Sequence, residues 1–161
     1  MNLDLCMPWV CRRLAFHEGV VLKVYKDSLG FKTIGVGRCL DKNPLTPEEK
    51  KACGDIYQGI TKNAAYMLLR NDVTRCEEEL RKNIPFYQSL DVERQYALID
   101  MCFNLGINKL LRFRNMLKAL EEKKYNLAGA ECLDSTYAKQ VPIRARRIAH
   151  LIRTKEWVRD I

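Results

Sequence analysis

The sequence predicts an α+β fold that is mostly helical: a small β-hairpin lobe and a larger helical lobe joined by a long helix. Three observations lead there. β-Branched and aromatic residues alternate with polar ones in a single stretch, GVVLKVYKDSLGFKTIGVGRCL. Residues 62–82 place Ala65, Leu69, Val73, Cys76 and Leu80 at spacings of four, four, three and four, a helical period. From Asp91 to the end the apolar pattern is helical throughout, in a chain of 161 residues that is 47% apolar. At that length folding buries roughly two-thirds of the unfolded surface, so the core needs no disulfide or metal staple.

The elements follow in order. Trp9, Val10, Leu14 and Phe16 predict a short amphipathic helix over about 9–18, with Arg12 and Arg13 outside and Gly19 as its C-terminal stop. The alternating stretch folds back at Asp27, Ser28, Leu29 and Gly30, the one clear hairpin in the sequence. The broken, polar stretch from Asp41 to Gly59 holds one short helix near TPEEKKAC. Thr61 is a good N-cap for the helix over 62–82, roughly 30 Å long at 1.5 Å per residue, and Pro85 ends it. Asp91 caps VERQYALIDMCFNLG, apolar nearly all round from Tyr96 and hence the buried central helix. Further helices are expected at about 109–123 and 126–134, and from Pro142 to Val158. The small lobe is thus about 19–61, and the helical lobe about 62–161 together with the first helix.

Composition narrows the class of partner without choosing one. With 28 Lys and Arg against 20 Asp and Glu, the formal charge is +8, and nucleic acid, acidic membrane and bacterial wall polymer are all compatible. Seven cysteines cannot all pair with one another, and they read as reduced, half-buried small hydrophobes, which points to synthesis in a reducing cytosol. No CxxC occurs and the only histidines are His17 and His150, so neither a zinc site nor another metal or cofactor is expected. The N-terminus, with Asp4 and Pro8 inside its apolar stretch, does not read as a secretory signal, and no run reaches the ~18 apolar residues of a membrane span. The GVG segment lacks the rest of a phosphate-binding loop. The C-terminal run Arg144, Arg146, Arg147, Arg153, Lys155 and Arg159 is a solvated helix face that can aid encounter with an anion. No helix-turn-helix or zinc-finger pattern points to DNA.

Chemistry concentrates in HEGVVLKVYKDSLGFKTIGVG, which gathers Glu18, Asp27 and Thr33 within 16 residues. A carboxylate in the last turn of a helix faces the negative end of the helix dipole, and apolar neighbours such as Phe16, Val20 and Val21 disfavour its ionisation further. That environment suits a general acid. Asp27 opens a turn, where its side chain can bond the turn's own backbone, and the returning strand brings Thr33 to the level of Tyr25. If the sheet folds over the end of the first helix, Glu18 and Asp27 face one cleft with Thr33 between them. Two carboxyls in unlike surroundings, with a hydroxyl to hold water, are the working parts of glycoside hydrolysis.

At these residues the chain resembles the T-even phage lysozymes of glycoside hydrolase family 24. Their signature of a Glu, eight residues, an Asp, five residues and a Thr is matched by Glu18, Asp27 and Thr33 in a frame of EG, LK, YKD, G and TIGxG. The likeness continues through SLDVERQYALIDMCFNLG, FRNMLKALEEKKYNLA and QVPIRARRIAHLIRTKEW. It implies a phage-lysozyme-like two-lobe fold forming one catalytic domain. It also implies a muramidase that cuts the β-1,4 bond between N-acetylmuramic acid and N-acetylglucosamine in peptidoglycan, with inversion.

By position, Glu18 would protonate the leaving oxygen, while Asp27 and Thr33 hold the attacking water. Arg144 would stand close to Glu18 and favour its charged form. Phe103, Asn104 and Cys39 would contact substrate, with Met116 and Glu131 at further cleft positions. Arg38 stands where the family often has a His near a buried acidic partner, so an ion pair there would stay charged at every pH. The resemblance further implies a monomer made in the bacterial cytoplasm and released by a holin to the wall, with no nucleic-acid partner and no stable membrane insertion. The rival readings are a lytic transglycosylase and a non-catalytic basic domain that binds wall polymer or nucleic acid.

Overall fold

A computed structural model describes residues 2–158 as an α+β fold, mostly helical, with one small antiparallel sheet. Two compact units partition it, one over residues 2–75 and one over residues 76–158. Arg159, the last member of the basic run, lies outside the described residues. Among those residues no helix is long and apolar enough to cross a membrane.

In the first unit, helix α1 runs Leu3–Glu18, starting well before Trp9 and carrying Pro8 inside it. A proline there removes the hydrogen bond to the carbonyl of Asp4 and crowds that carbonyl with its ring, a cost that the buried apolar turns that follow outweigh. The buried residues are Val10, Cys11, Leu14 and Ala15. Phe16 was expected on that face but is 76% exposed, and its ring stands edge-on to His17 at 5.1 Å. Two residues on from Leu14 is about 200° round the helix, so Phe16 belongs to the opposite side.

The sheet has strands β1 (Val21–Lys26), β2 (Lys32–Gly35) and β3 (Arg38–Cys39), in that spatial order. The expected hairpin is β1–β2. β3 adds a second, tight one that the sequence did not reveal, because two residues are too few to alternate. Tyr25 pairs with Thr33, Thr33 with Cys39, and Ile34 with Arg38. Residues directly opposite share a face, and successive residues alternate between faces. Tyr25, Thr33 and Cys39 therefore form a row across one face, and Ile34 and Arg38 point to the other.

Ile34 belongs to an apolar cluster with Cys53, Ile60, Ala64, Ala65 and Leu68, flanked by Val20, Val24 and Leu40. Cys53 ends helix α2 (Pro47–Cys53), whose capping box is complete: Thr46 Oγ1 accepts from the Glu49 amide at 3.2 Å, and Glu49 Oε2 accepts from the Thr46 amide at 3.0 Å. Helix α3 runs Lys62–Asn83, and Thr61 caps it by accepting from the Ala64 amide at 3.0 Å. The boundary between the units falls inside α3, after Arg75. Its first turns share the cluster around Ile34, which ties them to the sheet.

In the second unit, Asp91 caps helix α4 (Val92–Leu105) by accepting from the Arg94 amide, and every residue from Arg94 to Cys102 is buried; the apolar pattern predicts this from Tyr96, whereas Arg94, Gln95 and Asp100 are buried polar groups. The helix expected over 109–123 is two, α5 (Ile107–Leu110) and α6 (Arg114–Glu121). Phe113 breaks it: its backbone leaves the helical region (ψ 57°), and its ring meets buried Tyr137 edge-on at 6.0 Å. Helix α7 spans Tyr125–Leu133, and a short α8, Thr136–Gln140, starts at a Ser135 cap where the sequence predicted no helix.

Helix α9 runs Pro142–Thr154 and stops short of Val158, at Lys155, whose φ of 61° is left-handed. The buried guanidinium of Arg94 closes its end. Nε donates to the Ile152 carbonyl at 2.7 Å, and the group lies 3.3 Å over the Tyr125 ring. Close packing of α7 on α9 also explains Gly129, where a Cβ would fall 2.5 Å from Arg153 Cγ.

Candidate active site

The first unit holds Glu18, Asp27, Thr33 and Cys39. Glu18 is half-buried at the last position of α1, and Gly19 follows with φ 78° and its amide bonded to the Ala15 carbonyl. Only glycine adopts that conformation without strain, so the chain turns from α1 toward β1 immediately after the carboxylate.

Asp27 is the first residue past β1 and builds the turn. Its Oδ1 accepts from the amides of Leu29 and Phe31, both at 2.9 Å, while its own amide donates to the Phe31 carbonyl at 2.9 Å. The turn role expected of an Asp at this position is thus filled by one carboxylate oxygen alone. Oδ2 makes no hydrogen bond among the described residues.

Thr33 on β2 is 4% exposed, and its hydroxyl donates to the Phe31 carbonyl at 3.0 Å. With its proton committed, the Thr33 oxygen can only accept. Cys39, half-buried on β3, is the cross-strand neighbour of Thr33 on the same face.

Tyr25 sits on the other side of Thr33, and the spacing of the sequence assigns it no role beyond its level in the hairpin. Its phenol is raised above the ordinary value by burial first, then by the negative charges of Glu18 and Asp27. Both carboxyls thus act on one hydroxyl. The signal was present in the sequence, because Tyr25 and Asp27 are two residues apart in a strand and its continuation.

The opposite face of the sheet carries Arg38, which has the buried acidic partners expected of that position. Nη2 meets Glu49 Oε2 at 2.8 Å and Nη1 meets Asp72 Oδ1 at 3.0 Å, all three side chains being buried. Nε donates to the Asn43 carbonyl at 2.9 Å. Burial works against the charge on Glu49, but hydrogen bonds from Asn71, the Thr46 amide and Arg38, with the Arg38 charge, hold its carboxyl below the usual range. Burial dominates at Asp72 and lifts it, against the pull of Arg38 and Arg75.

The second unit holds the other expected site residues. Arg144 on α9 pairs through Nε with Oδ1 of Asp100 at 2.7 Å, and Asp100 is 1% exposed. Phe103 is half-buried and Asn104 exposed near the end of α4, and Glu131 is half-buried on α7. Met116, expected as a cleft position, is fully buried on α6 and packs as core. The buried thiols of Cys11 and Cys132 are pushed up to about 11 and about 12 by desolvation, which leaves them unreactive. Among the described residues no group of three His, Cys, Asp or Glu side chains could hold a metal ion.

Residues 15–155 match the family model described as phage lysozyme. Two relatives come from Dictyostelium discoideum. "Probable T4-type lysozyme 1" is 34% identical over 88% of this chain and 91% of its own length, and "Probable T4-type lysozyme 2" is 30% identical with the same coverage. The "Pre-baseplate central spike protein Gp5" of Enterobacteria phage T4 is 29% identical over 95% of this chain, which spans 28% of that protein.

Proposed function

The chain belongs to the phage lysozyme family, a family of glycoside hydrolases, and we propose that it hydrolyses the β-1,4 bond between N-acetylmuramic acid and N-acetylglucosamine in peptidoglycan, with inversion. Glu18 acts as the general acid that protonates the leaving glycosidic oxygen. Asp27 takes the proton of the attacking water through its second oxygen and faces the positive charge that develops on the sugar ring. Thr33 accepts from the same water.

The observation that carries this reading is the pairing of Thr33 with Tyr25, whose hydroxyl feels Glu18 and Asp27 together. It supports a reading in which an acid, a base and a water-holding hydroxyl work together within the unit that carries all four residues. Arg144, whose guanidinium is held by Asp100, is assigned a supporting role, and Phe103, Asn104 and Cys39 are assigned to glycan contact. We assign the protein to host-cell lysis as a monomer, made in the bacterial cytoplasm and released by a holin to the wall. It uses no cofactor, binds no nucleic acid and does not insert stably into membrane. The amoebal relatives support the chemistry independently of that setting.

Digestion of purified peptidoglycan tests the reaction. Mass spectrometry should find reducing muramic acid ends, and proton NMR of the earliest products should show the α anomer first. Anhydro-muramic ends would instead establish a transglycosylase, and an initial β anomer would establish retention.

A further inference from the structure

The hydrolytic reading places a water between Asp27 and Thr33, and the geometry around that water leaves one position to fill. A water molecule has two protons and two lone pairs. Attack on the anomeric carbon uses one lone pair. Asp27 Oδ2 receives one proton, because Oδ1 is taken by the amides of Leu29 and Phe31. Thr33 Oγ1 can only accept, because its own proton is given to the Phe31 carbonyl, so it takes the water's second proton. The remaining lone pair needs a donor, and neither Asp27 nor Thr33 can supply one.

We propose that Tyr25 is that donor: its phenol O–H bonds the second lone pair of the attacking water and fixes the direction of the first. Three features place it there. Tyr25 and Thr33 are direct cross-strand partners, and such pairs have Cβ atoms about 4.5–5.5 Å apart on one face. Asp27 follows two residues later with the same side-chain parity. The hydroxyl makes no hydrogen bond to any described residue, although the side chain is half-buried and feels the charges of Glu18 and Asp27. Burial and the charges of Glu18 and Asp27 oppose its ionisation, so the phenol keeps its proton throughout the working range and donates.

During turnover the water's proton passes to Asp27, its oxygen bonds to the anomeric carbon, and the bond to the leaving oxygen breaks as Glu18 gives up its proton. Tyr25 keeps its own proton from start to finish. It touches the reacting water and so counts as a catalytic residue.

This inference rests on the inverting hydrolase reading, and the test separates the two. In Tyr25→Phe only the oxygen is lost, so kcat on purified peptidoglycan should fall about tenfold, the worth of one hydrogen bond, while KM and the melting temperature hold. Tyrosine ring-carbon NMR gives a readout that does not depend on turnover: the Tyr25 signal should titrate at lower pH in Asp27→Asn than in the parent chain. Full kcat in Tyr25→Phe overturns the role, and an unmoved Tyr25 titration overturns the juxtaposition. If Glu18→Gln still hydrolyses the polymer, the hydrolase reading itself falls; if Glu18→Gln is dead and Tyr25→Phe is not, only this inference falls.

Discussion

The two faces of the three-stranded sheet treat their polar groups in opposite ways. On the face shared with Ile34, the Arg38 guanidinium meets Glu49, Asp72 and the carbonyls of Asn43 and Pro44, and the two carboxylates are bonded in turn by Asn71, the Thr46 amide and Arg75. On the face shared with Thr33, Asp27 keeps one oxygen and Tyr25 its hydroxyl unbonded by any described residue. Saturated groups fix geometry, whereas groups with spare valence act on something else. A strand one residue deep separates the two, since Ile34 and Thr33 are neighbours, so the saturated face backs the one that keeps spare valence.

The comparison breaks most sharply at Glu18. Replacing Glu18 with Gln should lower turnover of purified peptidoglycan by about 10³-fold, within the range general acid catalysis supplies. The melting temperature should stay level or rise, because a carboxylate at the negative end of a helix dipole is removed. Activity near the parent level would mean that Glu18 is not the general acid and that the spare valence on the Thr33 face serves no such reaction.

Arg38→Met asks the reverse question. It removes one partner from two buried carboxylates, and breaking such a pair costs about 3–5 kcal/mol. Urea unfolding at neutral pH should show a loss of that size, with turnover per folded molecule unchanged. A loss under about 1 kcal/mol, the scale of an exposed ion pair, would show that the cluster is not the backing it is taken to be.

How far the sequence discloses these faces depends on the length of the signal. The β1–β2 hairpin and α3 carry several periods of pattern each, and they are where periodicity puts them. β3 has two residues and α8 five, too short to repeat anything, so tertiary contacts decide them. The helix read over 109–123 fails at Phe113, because an apolar residue fits a helical period equally well when its ring is drawn out of the helix toward Tyr137. Pro8 hid the start of α1 for the opposite reason: a strong local signal against helix was overridden by packing.

At the site, spacing was enough to single out Glu18, Asp27 and Thr33. It could not show that Asp27 divides its two oxygens between the turn and open valence, nor that Tyr25 feels the charges of both carboxyls. Those facts belong to register and side-chain direction. Of the acids that hold Arg38, Glu49 lies 11 and Asp72 34 residues away along the chain, and the one that holds Arg144 lies 44 away; no local pattern names such partners.

The smallest expected effect lies in the acid behaviour of the buried face. The Glu49 carboxyl is held below the ordinary glutamate value of about 4.3, its hydrogen bonds outweighing burial. A folded value below the unfolded one contributes stability that is fully present above about pH 4.3 and is lost as pH falls through the folded value. Glu49→Gln cannot titrate, so the stability gap between parent and variant should be widest at neutral pH and close as pH drops below about 4. Asp72 moves the other way, its burial raising it, but it is present in both proteins and largely cancels in the difference. Urea midpoints measured at neutral pH and near pH 3 would show the closing gap. A gap of constant width would mean that the hydrogen bonds to Glu49 do not favour its charge, and that Arg38 is held chiefly by Asp72 and the two carbonyls.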